Sequence, residues 1–243
     1  MIKIAIVGYG KMGKEIESIV DSKELKVVGK YDIDNTIQNH MKEVPDVAIE
    51  FSTPISMMQN LEFLAKKKVN IVCGTTGWYD DMYKVKNIVE KEGIGFIYSS
   101  NFSLGVNIFF QLAKEAAKIL NRFENYDVAI EEIHHNQKLD KPSGTALNLA
   151  QILIDTIHRK RTISPPDYKG KINPGDLNVT SIRLGSVVGN HKIIADSSAD
   201  TITIEHSAKS RRGFAEGALL AAKYINGRHG FYHFEDIFVN LNK

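Results

Sequence analysis

A stretch near the middle of the chain concentrates side chains that can transfer protons. Two adjacent histidines, His134 and His135, are followed by Lys138. A histidine titrates near neutral pH and can pass a proton to a carbon or nitrogen centre. A lysine ammonium group stabilises negative charge as it develops during a reaction. Because neighbouring side chains of a strand point to opposite faces, we expect only one of the two histidines to act as a proton donor.

The segment that follows can bind an anion. Ser143, Gly144 and Thr145 come directly after Pro142 and begin a predicted helix. Hydroxyl and backbone N–H groups at a helix N-terminus form a ready site for a carboxylate. The alternative for Ser143 is a plain N-cap, the commoner role of an isolated serine at such a position. Paired histidines can also bind a metal ion, but no cysteine and no third histidine follows at a suitable spacing, so we predict no metal.

A glycine-rich turn near the start of the chain predicts a dinucleotide site. Gly8, Gly10 and Gly13 form a GxGxxG pattern after an apolar strand and at the start of a helix, with Lys11 and Met12 inside it. The first glycine allows the tight turn, the second lets the backbone approach a pyrophosphate, and the third permits close helix–strand packing. The helix N-terminus then binds the diphosphate through its N–H groups and dipole. The alternative is a glycine-rich turn that holds no ligand.

An acidic residue at the end of the second predicted strand bears on the choice of cofactor. Asp32 stands 19 residues after Gly13, where dinucleotide-binding folds place a carboxylate against the ribose hydroxyls. This carboxylate would repel the 2′-phosphate of NADP, and no arginine follows it, although Lys11 and Lys14 are nearby cations. We therefore expect NAD to be favoured and NADP to be tolerated. The alternative for Asp32 is an ordinary turn aspartate.

Two further predicted strands end in small and hydroxylated residues. The third ends in Ser52-Thr53-Pro54, and the fourth ends in Gly74-Thr75-Thr76-Gly77. Ligands in open α/β sheets lie beyond the carboxyl ends of the strands. Such residues leave room for a nicotinamide ribose and supply hydrogen-bond donors. Plain turns would need no ligand, but two such ends on one sheet favour a cofactor.

Alternation of short apolar runs with helical patterns gives the elements that position these residues. Strand and helix alternate up to Asn101, which indicates a parallel sheet with right-handed crossovers. Later strands follow one another without helices, which indicates a mixed or antiparallel sheet. We predict an α/β protein with a Rossmann-like doubly wound parallel sheet plus a second α+β domain with a mixed sheet. The predicted strands are 2–7, 25–31, 46–51, 70–73, 95–99, 126–133, 179–184, 191–196, 201–207 and an edge segment at 231–238; the predicted helices are 11–22, 55–67, 79–92, 106–120, 144–157 and 213–226; residues 159–178 are predicted as an exposed loop.

The composition excludes several classes of protein. A formal net charge of +2 is too balanced for the concentrated basic face that nucleic acid or an anionic membrane requires. No apolar stretch approaches the roughly 18–20 residues of a membrane span. The single cysteine, Cys73, rules out an internal disulfide and a multi-cysteine zinc site. The first residues form a strand rather than a signal peptide, so we expect a cytoplasmic enzyme without nucleic-acid or membrane partners.

The order of these motifs resembles that of the dihydrodipicolinate reductase family, also named 4-hydroxy-tetrahydrodipicolinate reductases. The resemblance covers essentially the whole chain. It implies reduction of 4-hydroxy-tetrahydrodipicolinate to tetrahydrodipicolinate in diaminopimelate and lysine biosynthesis, with NADH or NADPH as cofactor and a small dicarboxylate as substrate. It also implies a homotetramer built through the sheet of the second domain. The motifs are residues 8–13, 74–77, 101–107, His134-His135-Asn136-Gln137-Lys138, Pro142-Ser143-Gly144-Thr145-Ala146, 210–215 and 230–232.

The resemblance also implies roles for individual residues. His134 would be the catalytic acid and Lys138 its essential partner, with His135 also facing the substrate. Residues 143–145 would bind a substrate carboxylate. This chain has Ser99-Ser100 where the family often has Ala-Pro, which affects the nicotinamide contacts. The residues implied to line the cofactor pocket beyond the glycine turn and Asp32 are Gly74, Thr75, Thr76, Ser99, Asn101 and Phe102.

The expected domains are residues 1–103 with 214–243 for dinucleotide binding, and 104–213 for substrate binding and oligomerisation. The chain is rather short for the family, so loops around the second sheet are expected to be trimmed. One alternative function is that of another two-domain NAD(P)-dependent amino-acid-pathway dehydrogenase, of the aspartate or homoserine type, in which the paired motifs at 134–138 and 142–146 have no obvious role. A non-catalytic NAD-sensing regulator is the other alternative, but the sequence has no basic DNA-binding helix or partner patch.

Overall fold

The chain forms two compact units. The computed structural model describes residues 1–165 and 170–240. The first unit comprises Met1–Leu104 and the chain from Arg211 onwards, and the second comprises Gly105–Ser210. Each unit contains its own hydrophobic core. The chain therefore leaves the first unit once and returns to it for its last elements.

Strands and helices alternate through the first part of the first unit. Strands β3 and β4 are buried at every position, because helices cover both faces of a parallel sheet. Neighbouring strand residues enter different clusters: Ile49 packs with Ile4, whereas Ala48 packs with Phe96. The elements are β1 (Ile2–Val7), α1 (Lys11–Ser18), β2 (Leu25–Tyr31), α2 (Ile37–His40), β3 (Val47–Glu50), α3 (Pro54–Lys66), β4 (Asn70–Cys73), a 3₁₀ turn (Tyr79–Asp81), α4 (Met82–Glu92) and β5 (Gly95–Tyr98).

The second unit is built on one mixed sheet. Its elements are α5 (Leu104–Leu120), β6 (Asp127–His134), α6 (Gly144–Thr156), β7 (Thr162–Ile163), β8 (Asp176–Arg183), β9 (Gly189–Asp196) and β10 (Thr201–Ala208). The strand order is β10-β9-β6-β8-β7, with β6 parallel to β8 and antiparallel to β9. Alternate residues of β6 are buried, and Val128 and Ile130 pack with Phe109 of α5 and Leu149 of α6. The predicted mixed sheet is confirmed.

The last elements complete the sheet of the first unit. They are α7 (Arg212–Ile225), β11 (Gly230–His233) and α8 (Asp236–Asn240). Strand β11 pairs in parallel with β5, which gives a six-stranded sheet in the order β11-β5-β4-β3-β1-β2. The predicted Rossmann-like parallel sheet is confirmed. Because the progression of strands reverses beside β1, the turn from β1 to α1 lies where ligands bind in such sheets.

The segment predicted as an exposed loop, 159–178, is more ordered than its composition suggests. Thr162–Ile163 pairs in parallel with the start of β8, which begins at Asp176. Lys160 is only 3% exposed, and its Nζ donates to the carbonyls of Pro174 and Asp176 and lies 2.6 Å from Oδ1 of Asp127. The loop prediction was therefore wrong for these residues, because a lysine whose ammonium is fully bonded can be buried. Residues 166–169 lie outside the described residues.

Several other predicted elements differ from the structure. Helix α1 ends at Ser18 rather than at 22, and Oγ of Ser18 donates to the carbonyl of Glu15. Helix α2 was not predicted. The final edge segment is a strand only to His233, because Oδ2 of Asp236 accepts from the His233 N–H at 2.8 Å and the chain then enters α8.

Replacement of Gly217 in α7 should destabilise the first unit. A Cβ atom at this position would lie 1.8 Å from the carbonyl oxygen of Phe102, so Gly217→Ala forces the helix away from the segment after β5. We expect a loss of about 1–3 kcal/mol in the free energy of unfolding, measured by urea titration. Glu216→Ala, on the exposed side of the same helix, should change it by less than about 0.5 kcal/mol. Equal effects of the two substitutions would contradict this packing argument.

Candidate active site

Close packing around β1 determines the shape of the glycine turn. Gly8 has φ +90°, and a Cβ atom on it would lie 2.2 Å from the carbonyl oxygen of Phe51. A Cβ atom on Gly13 would lie 2.6 Å from the carbonyl oxygen of Gly8. Gly10, the N-cap of α1, has no atom within 4 Å of its ideal Cβ position and receives no side-chain cap. The first and third glycines are thus required by packing, whereas the space over Gly10 is open.

Asp32 lies at the rim of a cavity of about 240 Å³ beside this turn. The cavity is lined among others by Gly10, Ser52 and Thr53. Asp32 is exposed, and its Oδ1 accepts from the N–H of Ile33 at 3.0 Å. Its backbone also pairs with that of Asn35, so the residue shapes the turn after β2. Asp32 therefore acts as a turn aspartate and also faces a cavity at the carboxyl ends of the strands.

A buried carboxyl group, not recognised from the sequence, links the ends of β3 and β4. Glu50 is 1% exposed, and its side chain accepts from the hydroxyls of Ser52 and Thr75, the latter at 2.5 Å. Nδ2 of Asn60 in α3 lies 3.4 Å from Oε1. Burial raises the pKa of Glu50, against the opposing effect of these hydrogen bonds. The sequence signal was an acidic residue ending an otherwise apolar strand.

The other predicted cofactor residues of the first unit differ in exposure. Thr75 and Ser99 are buried, whereas Lys11 and Thr76 are exposed. A Cβ atom on Gly74 would lie 2.1 Å from the ring of Phe51. Met12 and Asn101 are half-buried. The structure therefore brings these residues to one edge of the sheet with different access to a ligand.

The side chain of Phe102 has a packing role. It is 1% exposed, and its ring centroid lies 4.7 Å from that of Phe234 and 6.0 Å from that of Phe51. Only the backbone of Phe102 is therefore available for contact with a cofactor. Oγ of Ser99 donates to the carbonyl of Asn101 at 2.9 Å and so shapes the turn that leads to this residue.

In the second unit, strand pairing gathers polar side chains from three strands into one cluster. Glu132 of β6 pairs with Ser181 of β8 and His191 of β9, and His134 pairs with Arg183. Glu132, His134 and His191 are all at least nine-tenths buried. The rings of His134 and His191 meet at 73° with centroids 5.0 Å apart. We call Glu132, His134, Arg183 and His191 the polar cluster.

The carboxylate of Glu132 is the centre of the polar cluster. Oε1 accepts from the N–H of Ser143 at 3.0 Å and from Nη2 of Arg183 at 3.2 Å. Oε2 lies 3.0 Å from Nδ1 of His134 and 3.8 Å from Nε2 of His191. Burial alone would raise the pKa of Glu132, but hydrogen bonds from Ser143 hold that pKa below its ordinary value. The carboxylate is therefore ionised at neutral pH.

The histidines of the polar cluster are held in their neutral forms. Burial lowers the pKa of His134, although the neighbouring Glu132 carboxylate opposes this effect. Burial lowers the pKa of His191 to about 4, with a further contribution from the nearby His134. At neutral pH an added negative charge beside His134 would favour its protonation.

The helix start at Ser143 lies against the cluster. Ser143 is the N-cap of α6: its Oγ accepts from the N–H of Ala146 at 3.2 Å. The same Oγ lies 3.2 Å from Nε2 of His191. Gly144 is exposed, with no atom within 4 Å of its ideal Cβ position, and Thr145 is half-buried. Ser143 therefore caps the helix, and the helix N-terminus is accessible at Gly144.

Lys138 and His135 lie in the loop between β6 and α6. Nζ of Lys138 lies 2.7 Å from Oδ1 of Asp140, and hydrogen bonding to Lys138 lowers the pKa of Asp140. His135 is half-buried and follows the last residue of β6. The loop thus carries the ammonium of Lys138 and the further imidazole of His135 close to the start of α6 in sequence.

Three groups in the cluster have the residue types of a metal site. Ligand atoms of Glu132, His134 and His191 lie within 4.8 Å of one another. No third histidine follows His134 at a suitable spacing in the sequence, but β9 brings His191 beside it in the sheet. We interpret the cluster as a proton network, because the guanidinium of Arg183 contacts the same carboxylate and would oppose a bound cation.

Sequence reasoning found His134, Lys138 and Ser143 but assigned no role to Glu132, Arg183 or His191. The latter two come from strands about 50 residues further on, and only the register of the sheet brings them to His134. An arginine and a histidine at positions predicted to be strand were the available signals.

Comparison with known proteins supplies the family. A family model described as dihydrodipicolinate reductase, N-terminus, matches residues 2–102, and one described as dihydrodipicolinate reductase, C-terminus, matches residues 105–238. The chain belongs to the dihydrodipicolinate reductase family. The C-terminal model takes in α7 and β11, which lie in the first compact unit, so the two divisions of the chain differ.

Two relatives named 4-hydroxy-tetrahydrodipicolinate reductase match over all or nearly all of their length. A 4-hydroxy-tetrahydrodipicolinate reductase of Christiangramia forsetii is 41% identical and covers 100% of both chains. One from Caldanaerobacter subterraneus subsp. tengcongensis is 37% identical over 98% of both chains. The dipicolinate-bound dihydrodipicolinate reductase from Paenisporosarcina sp. TG-14 shares the fold, with a TM-score of 0.78, 24% identity and coverage of 98% of this chain and 99% of that one.

These matches confirm the resemblance and favour neither alternative function. Within residues 1–165 and 170–240, no helix has the length and apolar character needed to cross a bilayer.

Acid should destabilise the protein through His191. Its pKa is about 4 in the folded chain against an ordinary 6.5, so between these values the unfolded chain binds a proton that the folded chain does not. Stability therefore rises as the pH increases through this window and is lost on acidification. The free energy of unfolding of the wild type should fall between about pH 7 and pH 5. In His191→Asn this fall should be smaller by about 2 kcal/mol.

The measurement is urea unfolding at both pH values. His158→Asn, at an exposed histidine of the same unit, should leave the pH dependence unchanged. If His191→Asn kept the wild-type dependence, His191 would not be the group responsible.

Proposed function

We propose that this protein catalyses the NAD(P)H-dependent reduction of 4-hydroxy-tetrahydrodipicolinate to tetrahydrodipicolinate, in diaminopimelate and lysine biosynthesis. The carrying observation is the buried pair of His134 and Glu132 beside the N-terminus of α6, in a chain that both family models match. A proton donor and an anion-binding helix terminus suit a dicarboxylate that must be protonated during reduction.

The glycine turn fits a pyridine nucleotide. Gly10 leaves open space at the N-terminus of α1, where backbone N–H groups and the helix dipole favour a diphosphate. Bound NADH or NADPH would supply the hydride. The residues proposed to hold the cofactor are Gly8, Gly10, Lys11, Met12, Gly13, Asp32, Gly74, Thr75, Thr76, Ser99, Asn101 and Phe102, the last through its backbone.

The substrate is a dianion, and the second unit has groups that match it. The backbone N–H groups of Gly144 and Thr145 and the hydroxyl of Ser143 would bind one carboxylate at the start of α6. Lys138 would stabilise developing negative charge, and His135 would face the ring. In this proposal the first unit binds the cofactor and the second unit binds the substrate.

Protonation is assigned to His134. Loss of water, as the hydroxyl of one ring carbon and a proton of its neighbour, gives a conjugated imine. Hydride addition at the carbon that carried the hydroxyl leaves an enamine anion, which takes a proton on the neighbouring carbon to give the cyclic imine product. Burial keeps the pKa of His134 below its ordinary value in the free protein. The two substrate carboxylates favour the imidazolium form, so binding prepares the acid for its proton transfer.

The protein is further proposed to work in the cytoplasm as a homotetramer, without nucleic-acid or membrane partners. The sheet of the second unit offers a face for assembly. Ile133 and Ile182 are cross-strand neighbours on the side opposite the core residues of β6, and Ile182 is 37% exposed. Apolar side chains on an open sheet face favour contact with another copy.

The reductase activity can be tested directly. Purified protein with freshly made 4-hydroxy-tetrahydrodipicolinate should oxidise NADH or NADPH, followed by absorbance. His134→Asn should lower kcat roughly 10²–10⁴-fold, because a general acid contributes about this much, while the Kd for NADH stays unchanged. His158→Asn should retain activity. Wild-type turnover with aspartate semialdehyde or with oxaloacetate and ammonia, and none with the proposed substrate, would overturn the function.

Removal of the Asp32 charge should shift the cofactor preference. Asp32→Asn removes repulsion of a 2′-phosphate, so the ratio of kcat/KM for NADPH to that for NADH should rise about tenfold, which corresponds to about 1.4 kcal/mol. Asp34→Asn, exposed in the same turn, is the matched control and should leave the ratio within about twofold, since it lies outside the cavity lining. A ratio that stays the same in both variants would place Asp32 away from the ribose.

A further inference from the structure

The two oxygens of the Glu132 carboxylate have different surroundings. Oε1 accepts from the Ser143 N–H at 3.0 Å and from Nη2 of Arg183 at 3.2 Å. Oε2 lies 3.0 Å from Nδ1 of His134. One oxygen therefore anchors the carboxylate, and the other faces the imidazole proposed as the acid.

The anchor does not depend on His134. Nη1 of Arg183 donates to the carbonyl of Ile182 at 2.9 Å, and Nη2 also donates to the carbonyl of Asp140. Ser143 is held as the N-cap of α6. A guanidinium with several fixed hydrogen bonds presents a rigid donor to a carboxylate. Contacts from β8 and α6 to Oε1 thus set the direction of Oε2. A carboxylate that is to position the His134 ring has to be fixed in this way by other groups.

Gly189 limits the His134 ring from its other side. A Cβ atom at Gly189 would lie 3.1 Å from Nε2 of His134, closer than ordinary van der Waals contact. Only glycine leaves the ring in this position without a shift. Nδ1 therefore faces a buried carboxylate, while Nε2 lies on the side of Gly189.

Oε2 of Glu132 and Nδ1 of His134 lie within reach of each other, and the carboxylate also has the hydroxyl of Ser181 and Nε2 of His191 nearby. Within the part of the chain that the structure describes, neither atom makes a hydrogen bond of good geometry, although they lie 3.0 Å apart. Catalytic hydrogen bonds are often poorly aligned in the absence of substrate and tighten in its complex. A small rotation of the ring would align the N–H with the carboxylate.

We propose that Glu132 is a positioning residue for His134: its carboxylate holds a proton on Nδ1 and leaves Nε2 as the nitrogen that gives its proton to the substrate. The inference rests on the proposed function, in which His134 is the acid. The imidazolium loses its Nε2 proton to the substrate and remains a neutral ring with Nδ1–H directed at Glu132. A carboxylate partner fixes the tautomer and orientation of a histidine in this way.

Charges around His134 act on it in opposite directions. The carboxylates of Glu132 and Asp140 favour the imidazolium, whereas the cations of Lys138 and Arg183 oppose it. His191 also faces it from β9. Because the carboxylate of Glu132 lies at 3.0 Å, its removal should lower the proton affinity of His134.

The test compares two adjacent glutamates of β6. Glu132→Gln keeps an acceptor for Ser143 and Arg183 but removes the charge facing His134. We expect kcat to fall about 10–100-fold with little change in the KM for NADH. The alkaline limb of the kcat profile should move to lower pH by about one unit, since an acid with lower proton affinity loses its proton sooner. Glu131→Gln, on the opposite face and paired with Lys192 at 2.9 Å, is the matched control and should leave kcat and the limb unchanged.

A second measurement separates this inference from the proposed function. In protein labelled with ¹⁵N-histidine, NMR should report the Nδ1–H tautomer for neutral His134 in the wild type and a change in its tautomer ratio and pKa in Glu132→Gln. This readout needs no enzymatic activity, so it stands even if no reductase activity is found. An unchanged tautomer and alkaline limb in Glu132→Gln, or the same shifts in Glu131→Gln, would overturn the role of Glu132.

Gly189→Ala provides a variant that keeps the carboxylate if Glu132→Gln does not fold. The added methyl group crowds Nε2, so kcat should fall while the Nδ1–H tautomer persists. Loss of that tautomer in Gly189→Ala, with Glu132 intact, would contradict the proposed control by the carboxylate.

Discussion

The candidate chemistry of the second unit depends on one ionised carboxylate inside the sheet. A buried charge is costly unless other groups compensate it, and Glu132 has such groups: a backbone N–H at the start of α6 and the guanidinium of Arg183. Because these contacts occupy one oxygen, the other remains directed at His134. The same interaction thus connects β6, β8 and α6 and sets the surroundings of the imidazole. The Glu132 carboxylate therefore contributes to the packing of the second unit, to its electrostatics and to the proposed proton transfer.

The first unit uses a buried acid for a related structural purpose. Glu50 receives hydroxyl donors from the turns after β3 and β4, and these turns border the edge where a nicotinamide is proposed to lie. The glycine turn beside them is determined by close backbone approach, since a side chain on Gly8 would overlap Phe51. Two neighbouring constraints, one polar and one steric, therefore shape the same edge of the parallel sheet.

Local patterns predicted much of the fold and part of the candidate site. Strands β1, β2 and β4 have the predicted bounds, because each is a short apolar run with turn residues at its ends. His134, Lys138 and Ser143 lie within ten residues of one another, so their grouping was visible in the sequence. The contributions of Arg183 and His191 depend on which strands pair and in which register, and no single strand encodes that. Lys160 was misjudged because its buried ammonium is satisfied by carbonyl groups 14 and 16 residues further along the chain, which the local composition does not reveal.

Side chains of β6 alternate between the two faces of the sheet, so activity depends on the register in which β6 pairs with β9 during folding. In the native alignment Glu132 and His134 point to the covered side of the sheet, and Glu131 and Ile133 point to the other side. A slip of a single position against β9 would exchange these sets and carry both functional groups to the wrong surface. Such a molecule would keep its strands and helices yet be inert as a catalyst. Fidelity of strand alignment during folding is therefore also a condition for activity, beyond any contribution to stability.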